Sequence, residues 1–400
     1  MDGVQEDLDK ALVSKSIATV DTRATRIFHN PFNSTPVGSN GTVTGNYSVE
    51  VLTSTDDTLT VQQRATAAEQ IDSYEQLMTS YDLMSQQARR QAYRISDYID
   101  QYVLNMPVSK SGVRDVDSGF ISSGANDGVG YAISSSNANV IANKITEMLG
   151  LGNAAINKGM FWVVSPYDRT KVVAFAQANG FQLSDSAISQ GINGSAGKQF
   201  GGLDLYISNN LTHTTTIEIA TEPTDGDTVT FVINGRTIIL TAKTSATAAG
   251  QVKINGSAAG FQANLKLCLN GAGVGDGTDY FELATADRAA LKMVSPQSAP
   301  GTFAICGSFS GNVATLTVYG SLSVASTLTA GSPDGFTAVV RHTIAGIYGS
   351  MFLALPADGM TFDMKSVTLK HGREVVTAQT YDATIWNNQK IEVLDVLVTN

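Results

Sequence analysis

The sequence predicts an α+β protein of more than one domain, and three stretches predict it. From Thr66 to Leu104, Ile71, Tyr74, Met78, Tyr81, Ala88, Ala92, Ile95, Ile99 and Tyr102 recur in steps of three and four, drawing one apolar stripe down a helix. From Gly38 to Gln63 the period falls to two, with Val43, Tyr47, Val49 and Val51 on one side and Thr42, Thr44, Ser48 and Glu50 on the other. In a Thr/Gly/Ala/Val-rich block from Thr212 to Gly335, Asn234-Gly235 joins Thr228–Ile233 to Arg236–Thr241, the pattern of a type I′ hairpin between β-branched strands.

The helical stretch meets no Gly or Pro until Pro107, so nothing inside it breaks the backbone pattern. At 1.5 Å per residue it would be on the order of 50 Å long, more than one narrow stripe can bury in a small domain. It reads as a long amphipathic helix on a large domain, as half of a coiled coil, or as a spine carrying sheets and neighbouring subunits. The alternating stretch before it turns at Ser54-Thr55-Asp56-Asp57 and returns through Leu59 and Val61. An isolated hairpin is marginal in water, so this one needs a partner surface. Its apolar residues Tyr47, Val49, Val51, Leu59 and Val61 are the subunit-contact candidates.

The totals bound the function. A chain of 400 residues exceeds one ordinary core, and 16% charged residues with abundant Gly, Ser, Thr and Ala suit a β-rich globular protein. A net charge of −10 opposes a protein that grips nucleic acid over its whole surface. No run of about 18 apolar residues offers a membrane-spanning helix. The stretch Met1–Lys15 has charges but no apolar core, unlike a secretory signal. Cys268 and Cys306 are too few for a disulfide framework, and free buried thiols are expected.

The remaining elements follow in order. Residues 1–36 read as a short helix from Glu6 to Ile17 and an extended arm through Pro31 and Pro36. Its balanced charges differ from a basic DNA-binding tail. Ser109 to Ser136 is a weak Gly/Ser/Asp-rich segment. Asn137 starts a helix stopped by Gly150, and Phe161–Val164 is a buried strand. Ser165-Pro166 turns into a helix ended by Asn179-Gly180, and a Gly/Ser/Asn loop (184–198) leads to the strand Leu203–Ile207. Inside the 212–335 block Ser257 caps a helix bearing Phe261, Leu265 and Leu269, and strands are expected at Tyr280–Ala284, Phe303–Cys306, Val313–Tyr319 and Leu322–Val324. Thr343 to Leu353 reads as a helix or a buried run. Lys365–Leu369, Val375–Tyr381 and Ile391–Val398 read as closing strands.

Catalytic chemistry is not indicated. His29, His213, His342 and His371 are scattered, without metal-ligand spacing, so no metal or cofactor is expected. Ser195-Ala-Gly-Lys198 matches Ser-x-x-Lys but lacks the companion motifs of acyl-transfer enzymes. The Gly-rich run 271–279 lacks the strand-to-helix setting of a phosphate loop and the repeat of calcium loops, and reads as a turn.

The order of arm, hairpin, long helix, α/β domain and closing strands resembles the major capsid protein family of tailed bacteriophages, whose fold is shared with encapsulins and herpesvirus shell floors. Three clusters carry the resemblance: the passage Thr60–Leu104 with Ile99-Asp-Gln-Tyr102, the strand and turn Phe161-Trp-Val-Val-Ser-Pro166, and Gly202-Leu-Asp-Leu-Tyr-Ile-Ser-Asn-Asn-Leu211. The last is the most specific. The resemblance implies an N-terminal arm (1–36), an extended loop (37–65), a peripheral domain with its spine helix (66–136) and an axial domain (137–211). It further implies an inserted domain (212–335) and a return to the axial and peripheral domains (336–400).

The implied function is a non-enzymatic coat protein of an icosahedral virion assembled in the host cytoplasm. Its partners would be further copies in hexamers and pentamers, portal, scaffolding and decoration proteins, and packaged DNA on the inner face without sequence specificity. Val37 to Gln63 holds no lysine, which departs from members that cross-link neighbours through that loop. An encapsulin-like compartment is the alternative within the fold, and a surface adhesion protein the alternative outside it.

Overall fold

The computed structural model of the chain describes residues 13–23, 27–30, 57–72, 83–152, 158–178, 200–296, 304–328, 335–356, 360–366 and 372–399. The predicted first helix is described from α1 (Val13–Ile17), which leads into strand β1 (Thr19–Asp21). Strand β2 (Ile27–Asn30), on the stretch read as an extended arm, pairs antiparallel with β3 (Asp57–Thr60), Asn30 opposite Asp57. Asp57, expected at a hairpin tip, therefore lies at a strand root instead. Alternation identifies a strand but not its partner, and here the partner is the arm.

Strand β4 (Gln63–Asp72) and helix α2 (Leu83–Ser109) divide the stretch expected as one helix from Thr66 to Leu104. The residues Thr66-Ala-Ala-Glu-Gln70 favour helix, but by well under 1 kcal/mol each. A ten-residue antiparallel ladder to strand β19 (Gly372–Thr384) outweighs that preference. At the other end α2 carries Pro107 in its last turn and stops two residues later.

The weak Ser109–Ser136 segment is ordered around one carboxylate. It contains β5 (Arg114–Val116), α3 (Ser118–Ser123) and β6 (Tyr131–Ala132). Buried Asp117 caps α3 by accepting from Phe120 N at 2.8 Å, and takes Asp127 N and Gly128 N at 2.7 Å each.

From α4 (Ala138–Leu151) the chain alternates through β7 (Met160–Val164), α5 (Pro166–Ala178), β8 (Leu203–Ile207) and β9 (Thr212–Glu218). The hairpin β10 (Thr228–Ile233) to β11 (Arg236–Lys243) turns as expected, with Asn234 and Gly235 both at positive φ (48° and 80°). After β12 (Gln251–Lys253) comes α6 (Ala258–Asn270), whose Ser257 cap accepts from Gly260 N at 3.1 Å. The strand expected at Tyr280–Ala284 is reduced to bridges at Tyr280 and Phe281, followed by an unanticipated helix α7 (Thr285–Val294). Strands β13 (Val313–Tyr319), β14 (Leu322–Ser326) and β15 (Gly335–Phe336) close the block.

The run Thr343–Leu353 is not helical. Buried residues on both faces make it the strands β16 (Val340–Ile347) and β17 (Phe352–Ala354), a pattern that sequence periodicity does not separate from a buried helix. The chain ends through β18 (Met360–Ser366), β19 (Gly372–Thr384) and β20 (Val393–Thr399).

Three larger sheets result. A five-stranded sheet runs β1-β17-β19-β18, with β4 also on β19. A nine-stranded sheet has the order β13-β9-β16-β20-β5, with β15 on β9, β6 on β20, and β7 and β8 branching from β16. The strands β5 and β6, expected with the peripheral domain, thus join the sheet that holds β7 and β8 because both pair with β20. A four-stranded sheet, β12-β11-β10-β14, faces α6 over a core that includes Phe231, Leu240, Phe261, Leu265 and both cysteines. Cys268 and Cys306 are free and buried, and burial pushes both thiols up to about 12. The same core takes Ile217, Leu316 and Val318 from β9 and β13, so the 212–335 block shares strands with the nine-stranded sheet.

Candidate assembly site

Helix α2 joins two sheets. Ala92, Ile95, Ile99 and Val103 pack on Leu353, Tyr381 and Ala383 of the five-stranded sheet. Leu104 packs instead with Phe161, Val163 and Ile344 of the nine-stranded sheet. Burying Ile95, Ile99, Val103 and Leu104 is worth roughly 1.5–3 kcal/mol each, far more than any intrinsic helix preference along the same turns.

Polar pins fix the register of this packing. On the five-stranded side, Gln91 donates Nε2 to Val375 O at 3.1 Å and accepts Thr377 Oγ1–H at 2.7 Å. Tyr98 and Tyr102 stand edge-on to Tyr381, with centroids 6.5 and 5.4 Å away. On the other side Asn210 grips a stripe of three helical residues. Its Nδ2 donates to Asp97 at 2.6 Å, its Oδ1 accepts from Gln101 at 3.3 Å, and its backbone oxygen accepts from Asn105 at 3.1 Å. Those residues are spaced i, i+4, i+8 on one helical face. Ser208 Oγ in turn accepts Asn210 N at 3.1 Å, so the Ser-Asn-Asn segment is a clasp. Thr212 completes it by donating to Asn105.

Asp100 holds α1 against α2. Its carboxylate accepts from Val13 N at 2.9 Å, Ser14 N at 3.0 Å and Ser14 Oγ at 2.5 Å. Burial outweighs these bonds and raises its pKa to about 6.

The root of the 31–56 segment is clamped to the body. Phe28 stacks edge-on against Phe352 at 5.2 Å, and Phe352 lies 5.3 Å from Trp386. Leu59 and Val61 pack into this cluster, Val61 being only 8% exposed. Of the contact candidates, these two thus pack against their own chain, while Tyr47, Val49 and Val51 lie outside the described residues. Asp57 accepts from Asn387 N at 2.9 Å and Asn387 Nδ2 at 2.8 Å. Asp382 accepts from Gln62 N at 3.1 Å and Tyr102 OH at 3.0 Å, which ties the root to α2.

The nine-stranded sheet carries its own buried polar network. Arg341 binds Asp168 through Nη2 at 2.7 Å and Nε at 3.1 Å, and Ser165 Oγ donates to the same carboxylate at 2.6 Å. Trp162 donates to Thr343 at 3.0 Å. His342 bridges Asp395 at 2.7 Å and Thr214 at 2.8 Å, and burial lowers the His213 pKa to about 4. Apart from Ser165 and Asp168, three residues apart, none of these pairs had a sequence signal, since the partners lie 53 to 181 residues apart. His371 and the Ser195–Lys198 motif fall outside the described residues, and the side chain of His29 is not among those described. Among the described residues no cluster of His, Cys, Asp and Glu could hold a metal ion, and no helix is long and apolar enough to cross a membrane.

No family model and no curated protein sequence matches the chain. Solved structures similar to it are mainly phage and gene-transfer-agent (GTA) capsids. The capsid of cyanophage P-SCSP1u is 8% identical, with 98% of this chain and 89% of that chain covered and a TM-score of 0.47. The capsid of a native GTA particle is 10% identical, with 98% and 91% covered and a TM-score of 0.46. A virus-like particle from Pyrococcus furiosus is 8% identical, with 99% and 96% covered and a TM-score of 0.40.

Proposed function

We propose that this chain is the major capsid protein of a tailed phage, a tile that closes with copies of itself into an icosahedral shell around double-stranded DNA. One observation carries the reading. Asn30 and Asp57 face each other across a two-stranded ladder clamped to the body, immediately beside a helix pinned to both sheets. A rigid tile needs such a spine, and residues 31–56 are then the strap that reaches an adjacent subunit, with Tyr47, Val49 and Val51 as its apolar contacts. Leu59 and Val61 serve the strap by anchoring its root. The 212–335 block is the inserted domain of this reading, and the Asn210 clasp joins the axial domain to the spine.

The mechanism is mechanical. Each strap contact is modest, but removing one subunit breaks several at once, so closure of a symmetric shell is cooperative. Deleting residues 42–55 leaves the root intact and is expected to give a soluble, folded protein that forms no shells. Shells of normal size from that variant would refute the strap. Particles filled with cargo protein and empty of DNA would favour a cellular compartment over a virion.

A further inference from the structure

We infer that Asn255 is a self-modification site, whose side-chain amide is lost to attack by the backbone nitrogen of Gly256 while the chain stays folded. The sequence holds six Asn-Gly pairs. Those at Asn234, Asn255 and Asn270 lie among the described residues, and those at Asn40, Asn179 and Asn193 lie outside them. A glycine in second place leaves its nitrogen open, because no Cβ blocks a close approach. What separates the three described pairs is whether the fold lets the asparagine side chain turn onto that nitrogen.

At two of the pairs it does not. Asn270 is held at both ends by one residue: Nδ2 donates to Cys306 O at 2.8 Å, and Oδ1 accepts from Cys306 N at 2.9 Å. Asn234 Oδ1 accepts from Ser321 N at 3.0 Å and from Ser321 Oγ at 3.2 Å. Turning either side chain onto the next nitrogen breaks both of its bonds. Asn255 differs. It is exposed, and neither its side-chain amide nor Gly256 N–H has a hydrogen-bond partner among the described residues. Gly256 stands at φ 68° with open space where a Cβ would lie.

The reaction needs only water. Gly256 N bonds to Asn255 Cγ, the Cγ–Nδ2 bond breaks, and ammonia leaves with the Gly256 amide proton. The resulting cyclic imide takes water at either carbonyl. Opening at Cγ leaves an ordinary aspartyl residue, whereas opening at the main-chain carbonyl routes the backbone through the former side chain. Either product places a carboxylate two residues before the Ser257 cap, at the positive end of the α6 dipole. The rerouted product also lengthens the backbone by one carbon where there is little room, since a Cβ on Gly260 would lie 2.7 Å from Asn255 Cβ. That shift displaces the Ser257 cap from Gly260 N and loosens the turn that carries Phe261.

The test ages purified full-length protein at mildly alkaline pH and follows each Asn-Gly pair by peptide mass mapping, in native buffer and in urea. In native buffer Asn255 is expected to convert at least about tenfold faster than Asn234 and Asn270. In urea the three rates are expected to lie within about threefold of one another, since the fold no longer holds any of the side chains. The acid formed at position 255 is expected to be missing from N255Q, whose longer side chain closes the ring far more slowly. Conversion of native Asn255 no faster than that of Asn234 or Asn270 overturns the inference. A rate order that persists unchanged in urea also overturns it, assigning the selectivity to local sequence rather than to the fold.

Discussion

Tyr102 donates its hydroxyl to Asp382 across 3.0 Å, and the second oxygen of that carboxylate receives Gln62 N at 3.1 Å. One side chain of the five-stranded sheet thus joins the long helix to the segment that follows strand β3. Burial is the leading cause of the upward shift of the Asp382 pKa, and it pushes the Tyr102 hydroxyl up as well.

Replacing Asp382 by Ala strands three donors, Tyr102 OH, Gln62 N and Ala383 N. The expected loss is about 2–3 kcal/mol of unfolding free energy, the cost of buried groups left without partners. Chemical denaturation of the unassembled protein measures it. Asp382→Asn retains an acceptor and is expected to lose less.

The Arg341–Asp168 pair is 5% and 0% exposed at its side chains. Breaking it from one side leaves a buried charge, so Asp168→Asn or Arg341→Met is expected to cost about 3–5 kcal/mol. The double variant R341M/D168L is expected to cost much less than the two singles together. A double-mutant cycle reads the difference, and simple additivity would show that the two side chains act independently.

Two buried groups oppose each other in acid. Asp100 has a folded pKa of about 6 against 3.8, so its contribution to stability is full below 3.8 and is lost as pH rises through 6. His213 has a folded pKa of about 4 against 6.5, so its contribution is full above 6.5 and is lost as pH falls through 4. Each amounts to about 3 kcal/mol in order of magnitude. Between pH 7 and pH 4 the two offset. Asp100→Asn is therefore expected to lose more stability on acidification than wild type, and His213→Gln to lose less. Urea midpoints at both pH values check the ordering, and parallel profiles for all three proteins would contradict it.

The parts legible in sequence are those set by local chemistry. Asn234-Gly235 fixed its hairpin through the positive φ both residues adopt, and Ser257 capped its helix. The apolar steps from Ala92 to Tyr102 gave the buried face of α2. What failed was set by distant partners. Residues 66–72 have helical composition, yet strand β19, some three hundred residues on, recruits them as β4. Asp117 ordered a segment that looked weak because capping by one carboxylate leaves no periodic trace. The Ser208-Asn209-Asn210 motif was visible as a resemblance, but its role as a clasp on Asp97, Gln101 and Asn105 required the fold.

The central claim is tested most directly by the mass of the purified full-length protein under conditions that favour association, measured by sedimentation and imaged by electron microscopy. Closed hollow particles in the megadalton range are the expected result, with the 42–55 deletion remaining small. A protein that stays monomeric under every such condition would contradict the account.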